Sequence, residues 1–468
     1  MSKELAYAGT VRQVELVRSG EVTPTELVDF YLERIERLDP QLNSYRVVLA
    51  ERARADAKRV EERLARGDGE RMPMAGVPIA LKDVEDLEGE LTTWGTAGFD
   101  QPAAADGEMV RRLREAGAVV IGKTNLPELA ICGFTESETW GITRNPWNTS
   151  FTPGGSSGGS GAALAAGLCA AASASDGAGS IRIPAALCGL FGLKPQRDRI
   201  SLAPAREHWH GLSVTGSLAR SVADSALWLD VCHGGVPGGP PAPDDTFSAA
   251  ARTAPRRLRI AYSNKPVRLI APPIVTGEVK AAVEDTAALL RSLGHDVERL
   301  DPAWGLAGNN VSARYLNGIT REFDTVPHPE RLEKRTKQFA RLGRLHGRRI
   351  VRRARRAEAP DARRIMSVFD RCDVLVMPVT GESAVEVGRW QGKGALRTLL
   401  GMSRTYPFCA LWNHLGNPAA SVPAGFDANG MPLAVQLVGR PNDESTLLSL
   451  AAQLESERPW ADQQPPVS

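Results

Sequence analysis

Apolar positions along this chain occur either in short continuous runs or at helical spacing, which is typical of strands and helices in succession. Residues 23–26 (Thr-Pro-Thr-Glu) form a capping box with proline at the first helical position, and they predict a helix that ends near Asp39 and Pro40. A second helix is predicted over residues 48–66, where Gly67 stops it. The apolar run 77–81 then predicts a strand that delivers Lys82.

The same alternation continues through the rest of the chain. Further helices are predicted at 107–115, 162–170 and 276–293, and further strands at 118–121, 258–262, 296–300, 373–378 and 433–438. This order of elements indicates an α/β fold in which helices cover a sheet.

The length of the chain leaves its domain organisation open. A chain of 468 residues is compatible with two to four domains, but a large α/β enzyme often keeps one sheet-centred body. The clearest break in composition, the glycine- and proline-rich segment 234–245, has the length of a surface loop. We therefore expect an N-terminal helical region over residues 1–70, a core over 71–235, and the remainder of the same body over 236–468.

Composition excludes several classes of function. A formal net charge of +2 gives no overall attraction to nucleic acid or to an acidic surface. The six cysteines show no metal-ligand spacing, and no apolar run approaches 18 residues. The N-terminus lacks the basic segment and apolar core of a secretory signal. We therefore expect a reduced, cytoplasmic protein without a metal or other cofactor, and with neither nucleic acid nor membrane as a partner.

Three segments carry the candidate chemistry. Residues 153–161 read Pro-Gly-Gly-Ser-Ser-Gly-Gly-Ser-Gly and lead directly into an apolar stretch, which a flexible linker does not do. Residues 175–182 read Ser-Asp-Gly-Ala-Gly-Ser-Ile-Arg, and residues 76–83 place Lys82 and an aspartate after the apolar run. A loop dense in glycine can turn its N–H groups toward a small anion and leave a serine uncovered, as an oxyanion hole requires.

In the order and spacing of these segments the chain resembles the amidase signature family of serine hydrolases, from about residue 7 to residue 455. The resemblance implies that Ser180 is the nucleophile, Ser156 relays its proton, and Lys82 is the base. Ser156 lies 24 residues before Ser180, which matches the family spacing. It also implies a single large α/β domain whose mixed, twisted sheet is covered on both faces by helices. Residues from about 304 to 400 correspond to the variable part at the substrate entrance of relatives.

The rest of the site is expected around this triad. N–H groups around Gly177, Ala178 and Gly179 are the expected oxyanion hole. Arg182 is expected to pair with Asp176 and so brace the loop. The candidate contacts for substrate are Cys132, Phe134 and Trp209.

The predicted function is hydrolysis of the C–N bond of small or medium amides, including aryl amides or carbamates, through an acyl-enzyme. The alternative is the glutamine-hydrolysing A subunit of a tRNA-dependent amidotransferase. That subunit is recognisable by a Ser-Ser-Leu-Asp-Gln type of segment after the nucleophile, whereas residues 210–217 here read His-Gly-Leu-Ser-Val-Thr-Gly-Ser. A small-molecule amide is the expected partner, and a homodimer is one expectation for the assembly.

Three other motifs have a structural interpretation. Residues 117–124 match the P-loop expression, but their apolar centre is a β-type run rather than a phosphate-binding loop, so Lys123 and Thr124 are expected to be scaffold. Residues 341–364 contain ten arginines, which favours a solvated helix face, with an anionic partner or substrate gating as alternatives. His208 and His210 lack further metal ligands, and we expect them to line the pocket or to be structural.

Overall fold

The computed structural model describes the chain from residue 3 to residue 468. Its α-helices are α1 Lys3–Tyr7, α2 Gly9–Ser19, α3 Pro24–Leu42, α4 Ala50–Ala65, α5 Glu108–Glu115, α6 Gly158–Ala165, α7 Arg182–Cys188, α8 Val222–Cys232, α9 Phe247–Arg252, α10 Gly277–Ser292, α11 Ala307–Phe323, α12 Lys334–Arg344, α13 Arg348–Arg356, α14 Glu358–Met366, α15 Ala395–Thr405, α16 Ala410–Leu415 and α17 Glu444–Glu457. Its strands are β1 Tyr45–Val48, β2 Pro78–Lys82, β3 Val119–Thr124, β4 Glu136–Ser137, β5 Gly141–Ile142, β6 Ala171–Asp176, β7 Phe191–Lys194, β8 Val214–Ala219, β9 Arg259–Tyr262, β10 Asp296–Arg299, β11 Val374–Pro378, β12 Ala419–Phe426 and β13 Pro432–Gly439.

One large sheet organises the fold. Eleven strands join it in the order β1-β3-β2-β6-β8-β7-β12-β13-β11-β9-β10, while β4 and β5 pair with each other. The pairs β3–β2, β2–β6, β11–β9 and β9–β10 are parallel, and the other pairs of the large sheet are antiparallel. The predicted α/β fold with a mixed sheet is therefore confirmed.

Helices flank the sheet on both sides. Every residue of β2, β3, β7, β8 and β11 is buried, which requires cover over both faces because successive strand residues point in opposite directions. Strands from all three expected regions join this sheet. The N-terminal region, expected to be helical, contributes β1 as an edge strand paired with β3.

Most predicted helices and strands are present within two or three residues of their expected bounds, but the helix predicted at 162–170 is wrong. Helix α6 begins at Gly158, inside the glycine-rich stretch, and ends at Ala165, and the chain then enters β6 at Ala171. The glycines here permit close packing. A Cβ at Gly159 would lie 2.5 Å from the main-chain N of Asn125, and one at Gly155 would lie 2.7 Å from the main-chain N of Phe134.

The sheet brings the expected catalytic segments to one edge. Strands β2 and β6 are parallel neighbours, so their carboxyl ends, which carry Lys82 and Ser175, lie at the same edge. In open α/β sheets this is the edge at which ligands bind. Two of the three segments identified in the sequence, those with Lys82 and Ser175, therefore meet at one edge.

The segment that matches a P-loop is scaffold, as predicted. Lys123 lies inside β3, where its Nζ is 2.8 Å from the buried Asp83 carboxylate, and Arg46 Nε lies 2.6 Å from the same group. Thr124 donates its hydroxyl to the carbonyl of Leu81 at 3.3 Å. These contacts fix the chain on either side of Lys82.

The arginine-rich segment forms parts of α12, α13 and α14, and all ten of its arginines are exposed. Three of them form ion pairs, Arg344 with Asp324, Arg355 with Glu207 and Arg364 with Asp361. A solvated face with some salt bridges, the favoured interpretation, describes this surface.

Two further expectations concern membranes and cysteines. Between residues 3 and 468 no helix has the length and apolar character needed to cross a bilayer. All six cysteines are buried and unpaired, as small apolar residues in a core would be.

The scaffold interpretation of residues 117–124 predicts the behaviour of Asp83→Asn. The substitution leaves Lys123 and Arg46 without their buried counter-charge, so the free energy of unfolding should fall by about 3–5 kcal/mol in urea denaturation. Glu88→Gln removes a charge from the same segment at an exposed position and should leave stability unchanged. A rise in Tm of the wild-type protein on addition of ATP and Mg²⁺ would contradict the scaffold role.

Candidate active site

Lys82 is the last residue of β2, and its side chain is completely buried. Its Nζ donates to Ser156 Oγ at 2.7 Å and to Ser175 Oγ at 2.8 Å, and no carboxylate of the described chain lies within ion-pair distance of it. Its main-chain N–H donates to Ser173 Oγ at 2.8 Å. Hydroxyl groups thus surround both ends of the lysine.

This environment changes the proton affinity of the amine. Burial lowers the pKa of Lys82 to about 7, while the negative charges of Glu85 and Asp176 oppose that shift. A lysine with such a pKa is about half deprotonated at pH 7, whereas an exposed lysine is almost fully charged. The amine can therefore accept a proton under ordinary conditions.

Ser156 and Ser180 border the same cavity. Ser156 follows a cis peptide bond from Gly155 and is buried beside Lys82. Ser180 stands between β6 and α7, where its side chain lines the cavity. Its hydroxyl forms no hydrogen bond to any residue from 3 to 468, so it is available to a ligand.

The loop before Ser180 is fixed by the carboxylate of Asp176. Asp176 Oδ1 accepts the main-chain N–H of Gly179 at 2.6 Å, and Oδ2 accepts that of Ile181 at 3.2 Å. The N–H of Gly179 is therefore already used, which corrects its expected place in the oxyanion hole. Gly179 has a φ of 129°, and a Cβ there would lie 2.8 Å from the side chain of Cys409.

The expected pair of Asp176 and Arg182 is confirmed. Both side chains are completely buried, and Arg182 donates from Nε and Nη2 to the two carboxylate oxygens at 2.9 and 3.0 Å. Burial alone would raise the pKa of Asp176, but the Arg182 guanidinium holds it well below its usual value. Asn413, in α16, donates to the same carboxylate at 2.9 Å and accepts from Arg182 at 2.6 Å.

Two cavities meet at Ser180, and they differ in polarity. The first has an empty volume of about 650 Å³ and a mainly apolar wall that includes Ile131, Val311, Leu399 and Met402. The second has an empty volume of about 900 Å³ and a wall rich in hydroxyl and carboxyl groups. We call them the apolar cavity and the polar cavity. A bound amide could place one arm in each.

The predicted substrate contacts divide into two groups. Cys132 lines the apolar cavity, and Trp209 lines both cavities. Phe134 lines neither: it is buried and stacks on Trp390 with ring centroids 4.5 Å apart. The expectation for Phe134 is corrected, because its ring fills the core behind the site.

The two histidines have different positions. His208 lines the polar cavity, where its Nδ1 lies 3.1 Å from Glu322 Oε1. His210 lines neither cavity at Ser180, and its Nε2 lies 2.8 Å from Asn317 Oδ1. Neither histidine is hydrogen-bonded to Ser156, Ser180 or Lys82 within the described chain. The first is therefore a lining residue and the second a structural one.

Sequence reasoning missed two contributors to the site. Ser175 accepts a hydrogen bond from Lys82, and Asn413 joins the buried pair of Asp176 and Arg182. The serine could have been found from its place at the end of the strand parallel to β2. The asparagine lies 237 residues beyond Asp176, and no local pattern marks it.

Comparisons with known proteins agree with this geometry. The family model described as Amidase matches residues 26–448. The chain is 52% identical over 468 residues to “Putative amidase AmiB2” of Mycobacterium tuberculosis, with 99% of each chain covered. It is 34% identical over 510 residues to 6-aminohexanoate-cyclic-dimer hydrolase of Paenarthrobacter ureafaciens, with 99% of this chain and 98% of that one covered.

Solved structures show the same likeness. A structure of 6-aminohexanoate cyclic dimer hydrolase has a TM-score of 0.88 and 32% identity, over 99% of each chain. A bacterial aryl acylamidase shares the fold with a TM-score of 0.86 at 24% identity, over 97% of each chain.

The buried pair predicts a large effect of Arg182→Met on stability. The substitution leaves the Asp176 carboxylate without its counter-charge, so the free energy of unfolding should fall by about 3–5 kcal/mol in urea denaturation. Arg371→Met, which breaks an exposed pair with Glu298, is the matched control and should change little. Equal effects of the two substitutions would show that Arg182 does not brace the loop.

Proposed function

This chain belongs to the amidase signature family and is an amide hydrolase, and we propose that it cleaves small or medium amides through an acyl-enzyme on Ser180. In this proposal Ser156 relays a proton and Lys82 is the base. Aryl amides and carbamates fall within the proposed substrate range, because the apolar cavity can hold an aryl or alkyl arm.

The observation that carries the proposal is the hydrogen bond between Ser156 and Lys82, a buried lysine whose lowered pKa allows it to be neutral near pH 7. The Ser180 hydroxyl lines the same cavity and is not hydrogen-bonded to any described residue. A neutral amine has two N–H donors and one lone pair. It can donate to Ser175 and at the same time accept the hydroxyl proton of Ser156, since the two oxygens lie 2.8 and 2.7 Å from Nζ. Ser175 would thus orient the lone pair toward Ser156.

Acylation follows from this arrangement. Ser180 Oγ attacks the amide carbon, its proton passes to Ser156 Oγ, and the proton of Ser156 passes to Lys82 Nζ. The two hydroxyls must approach each other when substrate binds, because they are not hydrogen-bonded in this structure. Lys82 then returns the proton to Ser156 Oγ, and Ser156 gives its own hydroxyl proton to the amide nitrogen. The C–N bond breaks, the amine leaves, and the acyl group stays on Ser180.

The tetrahedral oxyanion requires donors that are not already used. The Gly179 N–H is bound to Asp176, so we assign the hole to the N–H groups of Gly177, Ala178 and Ser180. A Cβ at Gly177 would lie 2.7 Å from the ring of Trp209. Residue 177 therefore has no room for a side chain that could cover these donors.

Deacylation repeats the same steps with water. Water attacks the ester carbon, gives a proton to Ser156 and through it to Lys82, and the proton then returns to Ser180 Oγ as the carboxylic acid leaves. One base therefore serves both halves of the reaction.

A serine-directed fluorophosphonate should label Ser180, because the oxyanion donors also stabilise the phosphoryl adduct. Peptide mass spectrometry locates the label. Ser180→Ala should remove it, whereas Ser156→Ala retains the nucleophile and should still be labelled, with amide hydrolysis reduced by about 10²- to 10⁴-fold. A label found only at another residue would overturn the nucleophile assignment.

The pH dependence of kcat/KM tests the base. Only neutral Lys82 can accept the proton, and its pKa is lowered to about 7, so kcat/KM should rise as the pH increases through about 7 and then level off. Lys82→Arg keeps a positive charge that cannot be lost, and it should remove most of the activity at every pH.

A histidine outside the two cavities at Ser180 supplies the control for the pH experiment. His210→Ala should retain the rising limb near pH 7, because His210 contacts neither Lys82 nor the serines. If Lys82→Arg kept most of the wild-type rate, lysine would be a structural cation and the proposed mechanism would be wrong.

A further inference from the structure

The charged residues around the polar cavity all carry the same sign apart from one histidine. Glu85, Asp86 and Glu108 line the cavity, and no lysine or arginine is among its lining residues. The cavity also contains Ser156 and Ser180, so these carboxylates face the place where the amide must bind.

Two of the three carboxylates are available to a ligand. Glu108 is paired with Arg111 and Arg112 at 2.8 and 2.7 Å. Glu85 accepts one hydrogen bond, from the hydroxyl of Thr215 at 2.9 Å, and no ion pair involves it within residues 3–468. The half-buried Asp86 carboxylate accepts no hydrogen bond from any described residue.

Neighbouring cations do not form ion pairs with Glu85 or Asp86 among the described residues. The Lys82 amine is nearby, but its hydrogen bonds go to Ser156 and Ser175, and it must lose its charge to act as a base. His208 faces the same cavity, but Glu322 lies 3.1 Å from its ring and supplies a counter-charge to it. The wall therefore presents two carboxyl groups, at residues 85 and 86, that no neighbouring cation contacts among the described residues. Burial raises the pKa of Glu85, and a bound ammonium group would favour its charged form.

Aromatic rings on the same wall fit a cation as well. Trp94 and Trp209 both line the polar cavity, and Trp94 packs against His208 with ring centroids 5.3 Å apart. The face of an indole ring attracts an organic cation. Carboxylates and tryptophans together are the surroundings in which an alkylammonium group is held.

We propose that Glu85 and Asp86 select amides that carry an ammonium group on the arm placed in the polar cavity. The inference rests on the proposed function and adds the substrate class to it. The second arm lies in the apolar cavity, so the preferred substrate joins an alkyl or aryl arm to an arm that ends in a primary amine. The number of bonds between the scissile amide and the ammonium group then determines whether the ammonium can reach the two carboxylates.

Two matched pairs of amides test the proposal at pH 8, where Lys82 is mostly neutral and an alkylammonium is still charged. N-(4-aminobutyl)hexanamide is compared with N-pentylhexanamide, and N-hexyl-5-aminopentanamide with N-hexylhexanamide. Each pair exchanges an ammonium for a methyl group at a constant chain length. In one pair, kcat/KM should be about tenfold or more higher for the ammonium member, as expected for a charge-assisted hydrogen bond.

Variants assign the preference to residues. Glu85→Gln and Asp86→Asn should each lower the ratio of kcat/KM within the preferred pair several-fold, and the double variant should bring it to about one. The ratio is the correct readout, because loss of the Glu85 charge also changes the pKa of Lys82, and this affects both members of a pair equally. Glu88→Gln, an exposed position on the same segment, is the charge-matched control and should keep the wild-type ratio.

A second measurement does not depend on turnover. Hexylamine should protect Ser180 from the fluorophosphonate at a concentration about tenfold lower than hexan-1-ol does, and the double variant should remove that difference. Hydrolysis of the neutral amides with ratios near one in both pairs, or equal protection by amine and alcohol, would overturn the inference and leave the proposed function standing. Absence of any amide hydrolysis together with an unlabelled Ser180 would overturn the proposed function itself.

Discussion

The proposed chemistry depends on the Lys82 amine, which is buried and contacts no carboxylate among the described residues. Two parallel neighbouring strands show the contrast. The Lys123 amine in β3 contacts the Asp83 carboxylate at 2.8 Å, whereas the Lys82 amine in β2 is hydrogen-bonded, within residues 3–468, to the hydroxyls of Ser156 and Ser175. Burial lowers the pKa of both lysines, but only Lys123 has a contacting carboxylate that stabilises its charged form. The same residue type is thereby scaffold in one strand and a candidate base in the next.

Burying the Lys82 amine without a contacting carboxylate lowers the stability of the folded state, and the surrounding structure offsets this loss. At neutral pH the fold must hold Lys82 partly uncharged, although the unfolded chain would protonate it. The network around Asp83 fixes the chain that follows the lysine, and Asp176, Arg182 and Asn413 fix the loop before Ser180. Both networks are charged, buried and well paired, so they give the site its geometry without adding a carboxylate to the lysine itself.

Local sequence motifs were sufficient to select candidate residues that the structure brings to one cavity or into direct contact. Lys82, Ser156 and Ser180 belong to motifs with recognisable order, and the strand ending on Lys82 is present as expected. Long-range contacts were not accessible in this way: neither Asn413 nor the core position of Phe134 is marked by its neighbours. The N–H of Gly179 was misassigned because a glycine-rich loop indicates that donors are exposed, but not which of them a carboxylate three residues earlier has already bound. Helix α6 was misplaced because glycines normally weaken a helix, whereas here backbone packing requires them.

The glycine-rich stretch around Ser156 has an evolutionary consequence. Because main-chain atoms of other segments lie where side chains at Gly155 and Gly159 would stand, this part of the molecule can hardly vary without moving its neighbours. Much of the wall of the apolar cavity is different in origin: Val311, Leu399 and Met402 come from α11 and α15, far along the chain. Mutation there can reshape the cavity one side chain at a time while the reacting groups stay in place. The architecture thus separates a candidate reaction centre, restrained by close main-chain packing, from a wall whose side chains can be exchanged singly, so that new substrates could be accommodated without rebuilding the centre.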